Sequence, residues 1–230
     1  MGFLEFLKHN FMHAFPILLC GAFAIAIAFE RYLALYKVLP IKDSKGFFDR
    51  INDLILAGRL HEAVGACDTL KDKPVGRIVR IALQRAHLPD ESIQSGIEMV
   101  MGDAVGEITK RTSFLATLAN VTTLLGLFGT VAGLIASFEA VGSADPQQKS
   151  ALLAAGIATA MNATMMGLAV AIPCMVAFSV LTNRANRMVA ELEEAAVRTL
   201  DLLKLRYFGD EAKGVTNVTS INDKSDKKAA

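Results

Sequence analysis

Three long stretches almost free of charged residues constrain this chain more than any other feature. They cover residues 11–29, 113–138 and 151–183, and 53% of the whole chain is hydrophobic. Each is long enough to cross the hydrocarbon core of a bilayer, which takes roughly 20 apolar residues for about 30 Å. A soluble protein of this size has no core large enough for three helices that are apolar on every side. We therefore expect three transmembrane helices.

Basic residues near the ends of these stretches predict their orientation. One side of the expected membrane has only Lys8 and Lys149. The other side has Arg31, Lys37, Lys110, Arg111, Arg184 and Arg187. Because basic residues concentrate on the cytoplasmic side, we expect a periplasmic N-terminus and a cytoplasmic C-terminus in a multi-pass protein of the bacterial inner membrane.

The segments outside the membrane look helical, so the expected fold is all-α. Gly58, Pro74 and Pro89 punctuate the cytoplasmic region, and no strong breaker follows "PDES" at 89–92 until about Ala140. Two of the three transmembrane helices are thus expected to extend far into a helical cytoplasmic domain. The predicted segments are an N-terminus with the first transmembrane helix at 1–36, a cytoplasmic helical region at 37–112, the second transmembrane helix at 113–141, a periplasmic loop at 142–149, the third transmembrane helix at 150–182, an amphipathic cytoplasmic helix at 183–208 and a disordered tail at 209–230.

Several functional classes find no support in the sequence. The three cysteines have neither disulfide nor zinc spacing. "GLFGTVAG" at 126–133 lacks the lysine of a phosphate-binding loop, and no basic stripe suits nucleic acid. We expect no enzymatic activity, no metal, no cofactor and no nucleic-acid partner.

Small residues four positions apart recur in the second and third stretches. Lipid tails are as apolar as leucine, so membrane helices associate through close packing, which small side chains permit. The glycines expected to serve helix packing are Gly126, Gly129, Gly133, Gly156 and Gly167. Small residues on two faces of the third stretch favour a homo-oligomer over a monomer.

Polar side chains also recur within these stretches, whereas ionisable ones do not. The candidates for a polar seam or pore are Thr130, Thr159, Asn162 and Thr164. Each hydroxyl has a simpler alternative, a hydrogen bond back to its own helix. No Asp, Glu, Lys, Arg or His lies deep in either stretch. Because hydroxyls and amides do not titrate near neutral pH, any protons crossing here need an acid from another chain.

"LLGLFGTVAGLIASF" at 124–138 and "LLAAGIATAMNATMMGLAVAIPCMVAF" at 152–178 resemble the core motifs of the ExbB/TolQ/MotA family of proton-channel subunits, ExbB/TolQ branch. The resemblance implies a homopentamer in the inner membrane around a dimer of an ExbD/TolR-like single-span partner, whose aspartate carries the protons. It also implies an indirect link to a TonB- or TolA-like or motility protein, with Thr130 and Thr164 facing the pore.

Two positions depart from the family pattern. Many members have a glutamate where this chain has Thr159, and a proline where it has Thr123. The missing glutamate removes a carboxylate that would assist proton entry or exit through this subunit. Because hydroxyl and carbonyl oxygens suit sodium, the extra hydroxyls leave a sodium-driven homologue as an alternative to a proton channel. A non-conducting membrane scaffold is a second alternative. The sequence does not distinguish nutrient uptake, envelope maintenance and motility as the process that is driven.

Overall fold

Helices account for nearly all of the structure, a computed structural model that describes the backbone of residues 11–41 and 44–226 and the side chains of 14–41 and 45–206. A short π-helical turn, Ala34–Val38, follows the first helix. The α-helices are α1 (Phe11–Leu33), α2 (Ser44–Leu56), α3 (Leu60–Asp68), α4 (Pro74–Gln84), α5 (Asp90–Thr109), α6 (Thr112–Gly142) and α7 (Lys149–Asp226). The described backbone contains no strand, and the predicted all-α class is confirmed.

Three helical stretches are long and apolar enough to cross a membrane. They are Ala14–Val38, Asp90–Gly142 and Lys149–Arg206. These contain the three charge-poor segments of the sequence, and the second and third are much longer than a bilayer requires. The expectation of three spanning helices, two of them long, is therefore confirmed.

The sequence predicts one continuous helix from 89–92 to about Ala140, but the structure divides it into two helices. It is interrupted at Lys110 and Arg111, between α5 and α6. Arg111 adopts the left-handed conformation, with φ of 58°, which costs an L-residue about 1–2 kcal/mol. Its guanidinium donates to both carboxylate oxygens of Glu30 in α1, at 2.8 and 2.9 Å. The helix break at Arg111, which no glycine or proline marks, thus coincides with an ion pair to Glu30, 81 positions away in the sequence.

The last helix differs from the expected boundaries at its C-terminal end. It runs without interruption from Lys149 to Asp226, past position 209, where the sequence predicts a disordered tail. Pro173 lies inside the helix, and no proline follows it. Gly209 and Gly214 disfavour a helix by about 1 kcal/mol each but do not forbid one. The predicted N-terminal segment before Phe11 lies outside the described residues.

The described residues of 1–35 and 109–185 form one compact unit, here called the apolar unit. α1 packs on α6. Ala14 and Ile17 of α1 also form a buried cluster with Ala163 and Met166 of α7. These contacts combine all three spanning helices into one bundle.

Glycines bring α6 and α7 of the apolar unit into close antiparallel contact. A Cβ added at Gly126 would lie 3.2 Å from the carbonyl oxygen of Ala163, and one at Gly133 would lie 3.1 Å from the Cβ of Ala160. At Gly167 it would lie 2.7 Å from the carbonyl oxygen of Thr122, which no real Cβ tolerates. Gly129 is also buried. The two backbones therefore approach more closely than any side chain would permit.

The described residues of 36–108 and 186–226 form the second unit, here called the polar unit. Gly58, with φ of +75°, separates α2 from α3, Pro74 begins α4, and Asp90 begins α5 within the "PDES" segment expected to start a helix. The C-terminal part of α7 buries Met188, Leu192 and Leu203, three of the apolar positions expected for an amphipathic helix. The other buried apolar residues of this unit include Ile51, Ile55, Ala63, Ile78, Val79, Ala82, Ile93, Ile97, Ala104, Ile108 and Ala195.

We predict that Gly156→Ala destabilises the apolar unit, because its new Cβ would overlap the Oγ and Cβ of Ser137 in α6. Overpacking of this kind typically costs about 1–3 kcal/mol. Adding Ser137→Gly should recover part of the loss, giving a favourable coupling in a double-mutant cycle of thermal unfolding. Gly106→Ala is the control, since nothing lies within 4 Å of its Cβ. A Gly156→Ala variant as stable as Gly106→Ala would contradict this packing.

We predict that Cys67 in the polar unit resists thiol reagents while the protein is folded. The side chain is fully buried, and this burial raises the pKa of the Cys67 thiol to about 12, with Asp68 raising it and Arg80 lowering it. Since the thiolate is the reactive form, labelling at pH 8 should require unfolding. The stability that the raised pKa provides is complete below about pH 8.5, the unfolded value, and is lost as the pH rises towards 12. Rapid labelling of Cys67 itself in the native chain, distinguished from labelling of the half-buried Cys20, would refute the burial.

Candidate functional site

Two threonines meet where α6 and α7 cross most closely. Thr130 of α6 and Thr164 of α7 are half-buried, and their hydroxyl oxygens are in hydrogen-bond contact. Thr130 lies one turn from Gly126 along α6, and Thr164 lies one turn from Ala160 along α7. The glycine contacts described above hold the two backbones close enough for these short side chains to reach each other.

Each hydroxyl also reaches a backbone carbonyl. The Thr130 hydroxyl lies 3.1 Å from the carbonyl oxygen of Gly126 and 3.3 Å from that of Ala160, across the helix interface. The Thr164 hydroxyl lies 3.3 Å from the same Gly126 oxygen. Four oxygens from two helices therefore converge, and only two of them carry a proton.

This arrangement leaves the hydroxyl protons a choice of acceptor. A threonine hydroxyl donates one hydrogen bond at a time and accepts up to two. If Thr164 donates to Thr130, Thr130 donates to Gly126 or Ala160; if Thr130 donates to Thr164, Thr164 donates to Gly126. Rotation of the hydroxyls exchanges these patterns without a change in charge. In either pattern the pair can accept a hydrogen bond from water, and it can donate one only when a hydroxyl turns away from its acceptor within the site; it cannot store a proton.

Most other hydroxyls in the spanning helices bond to their own helix, which is the simpler alternative that the sequence left open. Thr123 donates to the carbonyl of Ala119 at 3.0 Å, and Ser137 donates to that of Gly133 at 2.6 Å. Fully buried Thr122 does the same with Leu118 at 2.7 Å. Among the described side chains, the Thr130–Thr164 contact is the hydroxyl pair that joins α6 to α7.

The other two candidate pore residues do not join this pair. Thr159 is half-buried and donates to the carbonyl of Ala155 in its own helix at 3.0 Å. Asn162 is also half-buried, and its amide has no hydrogen bond to any other residue that the structure describes. The structure thus brings together two of the four residues predicted to line a pore.

No titratable side chain approaches the threonine pair along the helices that carry it. The acidic residue of α6 is Glu139, which is exposed and lies nine residues beyond Thr130. Lys149 is the first residue of α7, and the next charged residue along that helix is Arg184. The described residues contain no group of three or more His, Cys, Asp or Glu able to hold a metal ion. The site is therefore polar, neutral and built from oxygen atoms.

Sequence reasoning missed the backbone contribution to this site. The carbonyl of Gly126 lies within hydrogen-bond distance of hydroxyls from both helices, and that of Ala160 within reach of the Thr130 hydroxyl of α6, although neither Gly126 nor Ala160 has a polar side chain. Ser137 was also missed as the residue packed directly on Gly156. The available signal was the spacing of small residues, since a backbone becomes accessible to a neighbouring helix where the side chains are small.

Comparison with known proteins identifies the family. Residues 70–194 match the model of the MotA/TolQ/ExbB proton channel family. This segment includes α6, the spanning part of α7 and both threonines of the pair. The family and the three apolar helices together indicate a protein of the bacterial inner membrane.

Individual relatives agree with this match. An ExbB homolog for biopolymer transport from Methanothermobacter thermautotrophicus is 28% identical over 199 residues, which cover 83% of this chain and 66% of the relative. The Tol-Pal system protein TolQ of Haemophilus influenzae is 34% identical over 113 residues, 49% of each chain. The biopolymer transport protein ExbB of Salmonella typhimurium is 37% identical over 99 residues, 42% of this chain and 40% of the relative.

These three matches span between 40% and 66% of the relatives' own length. The family match extends over more than half of the chain, including the second and third spanning helices where the threonine pair lies. This chain therefore belongs to the MotA/TolQ/ExbB proton channel family.

Proposed function

We propose that this chain is a stator-like channel subunit that converts the proton motive force into mechanical work on the cell envelope. It does so with an ExbD- or TolR-like partner of one spanning helix, which carries the proton-binding aspartate. The membrane potential contributes about 2.3 kcal/mol per elementary charge for each 100 mV. The mechanical output passes to a TonB- or TolA-like protein, or to a motility protein.

The single observation that carries this proposal is the contact of Thr130 and Thr164 at the α6–α7 interface. A hydroxyl pair that can exchange its hydrogen-bond acceptors suits a path for water or a hydrated ion. Both threonines are only half-buried in a single copy, so part of each residue is accessible to a further helix or to water. Both threonines occupy the pore-facing positions that the family resemblance implies.

The acid must come from elsewhere, because the pair is neutral. A hydroxyl does not release its proton near neutral pH, so the threonines can orient water but cannot load and unload protons. Since α6 and the spanning part of α7 have no central ionisable residue, an aspartate on a partner helix supplies the titrating group.

The partner helices need a shell of copies of this chain, for which we propose a homopentamer. Large apolar side chains are exposed along both helices in a single copy, among them Leu124, Phe128 and Ile135 of α6 and Met161 and Ile172 of α7. Some face lipid, and others are available to neighbouring copies. We orient the chain with its N-terminus in the periplasm, from the basic residues at the opposite ends of the spans.

Thr159 bears on which ion is carried. It stands where many relatives have a glutamate, and here its hydroxyl bonds to its own helix. Oxygen atoms of hydroxyls and carbonyls also suit sodium, so a sodium-driven homologue is the alternative within the same mechanism. We favour protons, since the match is to a family of proton channels. A function that follows the sodium gradient and survives collapse of the proton gradient would select the alternative.

We predict that Thr130→Val combined with Thr164→Val abolishes gradient-dependent function while the oligomer still assembles. Valine keeps the branched shape of threonine but removes the hydroxyl, so the interface stays packed while its polar path is lost. The measurement is ion flux and gradient-dependent function in cells, with oligomer size determined in parallel. Thr130→Ser with Thr164→Ser should retain much of the flux.

Thr123→Val is the matched control for this experiment. Thr123 is exposed on α6 and bonds to its own helix, so losing its hydroxyl should leave function intact. Unchanged flux in the Thr130 and Thr164 double variant would remove the threonine pair from the path.

A non-conducting scaffold is the alternative from a different class. The small-residue contacts between α6 and α7 would serve assembly equally well in such a protein. The two functions differ in the partner they require. Co-purification of a single-span protein with an intramembrane aspartate supports the channel, whereas self-assembly without such a partner and without any gradient-dependent phenotype supports the scaffold.

A further inference from the structure

A hydrogen-bond donor on α6 and an acceptor on α7 both lack their usual partners in a single copy. The donor is the side-chain amide of Asn120, which is exposed and has no hydrogen bond to any other residue that the structure describes. The acceptor is the backbone carbonyl of Ala169, a residue that is also exposed. Pro173 has no N–H group, so the regular helical hydrogen bond to this carbonyl cannot form.

Both groups lie inside the charge-poor stretches that are expected to cross the membrane. Asn120 belongs to the stretch 113–138 and Ala169 to the stretch 151–183. Hydrocarbon provides neither donors nor acceptors, so an amide or a carbonyl that faces lipid without a hydrogen bond is destabilising. Spanning helices satisfy such groups by hydrogen bonds to a neighbouring helix. A contact that joined Asn120 to the Ala169 carbonyl would satisfy both.

Asn120 and Ala169 lie at about the same depth in the membrane. The α6–α7 interface fixes their relative height, because a Cβ on Gly167 would lie 2.7 Å from the carbonyl oxygen of Thr122. Asn120 precedes Thr122 by two residues, and Ala169 follows Gly167 by two. Since the two helices are antiparallel, both steps run in the same direction along the bundle, by about 3 Å each.

The same step of two residues places both groups on outer faces of the helix pair. Successive residues of an α-helix are about 100° apart, so two residues correspond to a rotation of about 200°. Thr122 and Gly167 are buried at the shared interface. Asn120 and Ala169 consequently face away from that interface, on opposite sides of the pair. The amide and the carbonyl of one copy therefore cannot reach each other.

We infer that Asn120 of one copy donates a hydrogen bond to the Ala169 carbonyl of a second copy, with α6 of the first packed on the outer face of α7 of the second. Copies that share one orientation in a membrane are related by rotation about the membrane normal, and such a rotation preserves depth. It brings the donor of each copy to the acceptor of its neighbour. Because the contact joins two different surfaces, successive copies form a closed ring.

Exposed apolar side chains flank both groups on the same faces. Leu124 lies four residues beyond Asn120 on α6 and is 63% exposed. Met165 lies four residues before Ala169 on α7, Ile172 lies three residues after it, and they are 57% and 60% exposed. Spacings of three and four keep residues on one helix face. The two faces therefore match in apolar surface and in the depth of one polar group, whereas lipid matches only the apolar surface.

This inference rests on the homo-oligomer of the proposed function, but it does not depend on ion conduction. Cross-linking between copies detects the contact without any measurement of flux. Cross-linked copies that conduct no ions would support the interface and contradict the channel. Ion flux through copies that do not cross-link at these positions would support the channel and contradict the interface.

Paired cysteines test the contact in membranes. The full chain carries Asn120→Cys with Ala169→Cys, its three native cysteines are replaced by alanine, and copper phenanthroline is the oxidant. Because each copy contacts a different neighbour on each side, denaturing electrophoresis should show a ladder of linked copies, and its largest member should count the copies in the ring. Neither single-cysteine variant should form a linked species.

Val131 and Ala158 provide a matched second pair. Both are exposed, and each lies eleven residues, about 16 Å, from Asn120 or Ala169 on the same helix face, towards the loop between α6 and α7. Val131→Cys with Ala158→Cys should therefore form the same ladder. The crossed pairs, Asn120→Cys with Ala158→Cys and Val131→Cys with Ala169→Cys, combine different depths and should form none.

Three results of the cross-linking would overturn the inference. A linked dimer from Asn120→Cys alone would place α6 against α6 instead of α7. A ladder from the crossed pairs as strong as that from the matched pairs would refute the common depth. The absence of a ladder from both matched pairs would mean that lipid or a different protein covers these faces.

Pro173→Ala tests the hydrogen bond itself. Alanine restores the N–H that bonds to the Ala169 carbonyl within α7, so Asn120 loses its acceptor. Asn120→Leu should raise the dissociation constant of each interface about threefold, the average effect of one hydrogen bond between spanning helices, and Pro173→Ala should do the same. The measurement is dissociation of the oligomer on dilution in detergent.

If the two substitutions remove the same bond, the double variant is also weakened about threefold rather than about ninefold. Effects that multiply would refute the bond between Asn120 and the Ala169 carbonyl. An Asn120→Leu oligomer as stable as that of the parent chain would refute it as well.

Discussion

Close contact between the backbones of α6 and α7 is the constraint on which the candidate site depends. Gly126 and Gly167 face each other so closely that an added Cβ at Gly167 would meet the α carbon of Gly126 at 3.0 Å. In lipid there is little hydrophobic gain from pressing two helices together, so the contact rests on packing and on hydrogen bonds between helices. Thr130 and Thr164 provide such a bond where the glycines allow it. The glycines that disfavour each isolated helix are thus what the helix pair requires.

Because this site is neutral, this chain provides the path and a partner must provide the titrating acid. Four oxygens converge at the threonine pair without a titratable group, so the site can guide water or an ion but cannot drive one. Under the proposed function, the driving charge belongs to a partner helix that moves relative to this chain. Protonation changes the charge of the mobile acid but not that of the fixed, neutral path. Protonation can therefore be coupled to motion of the partner helix.

Much of the fold was predictable from the sequence because its signals are local. The charge-poor stretches, the turn at Gly58 and the helix starts at Pro74 and Asp90 all follow from composition and backbone preferences. The break at Arg111 was not predictable, since arginine does not favour a left-handed conformation and the accompanying ion pair involves distant Glu30. Of the site, the resemblance pointed to Thr130 and Thr164, but the acceptors at Gly126 and Ala160 depend on the register of two helices. The two small-residue faces of α7 left that register open.

The most direct test of this account is proton flux into liposomes that contain this chain with and without a single-span partner bearing an intramembrane aspartate. Because the threonine pair is neutral, the chain alone should assemble but conduct no more than empty liposomes, and the complex should conduct. Replacing the partner's aspartate by asparagine should return the flux to the level of this chain alone. Proton flux through this chain in the absence of any partner would contradict the account.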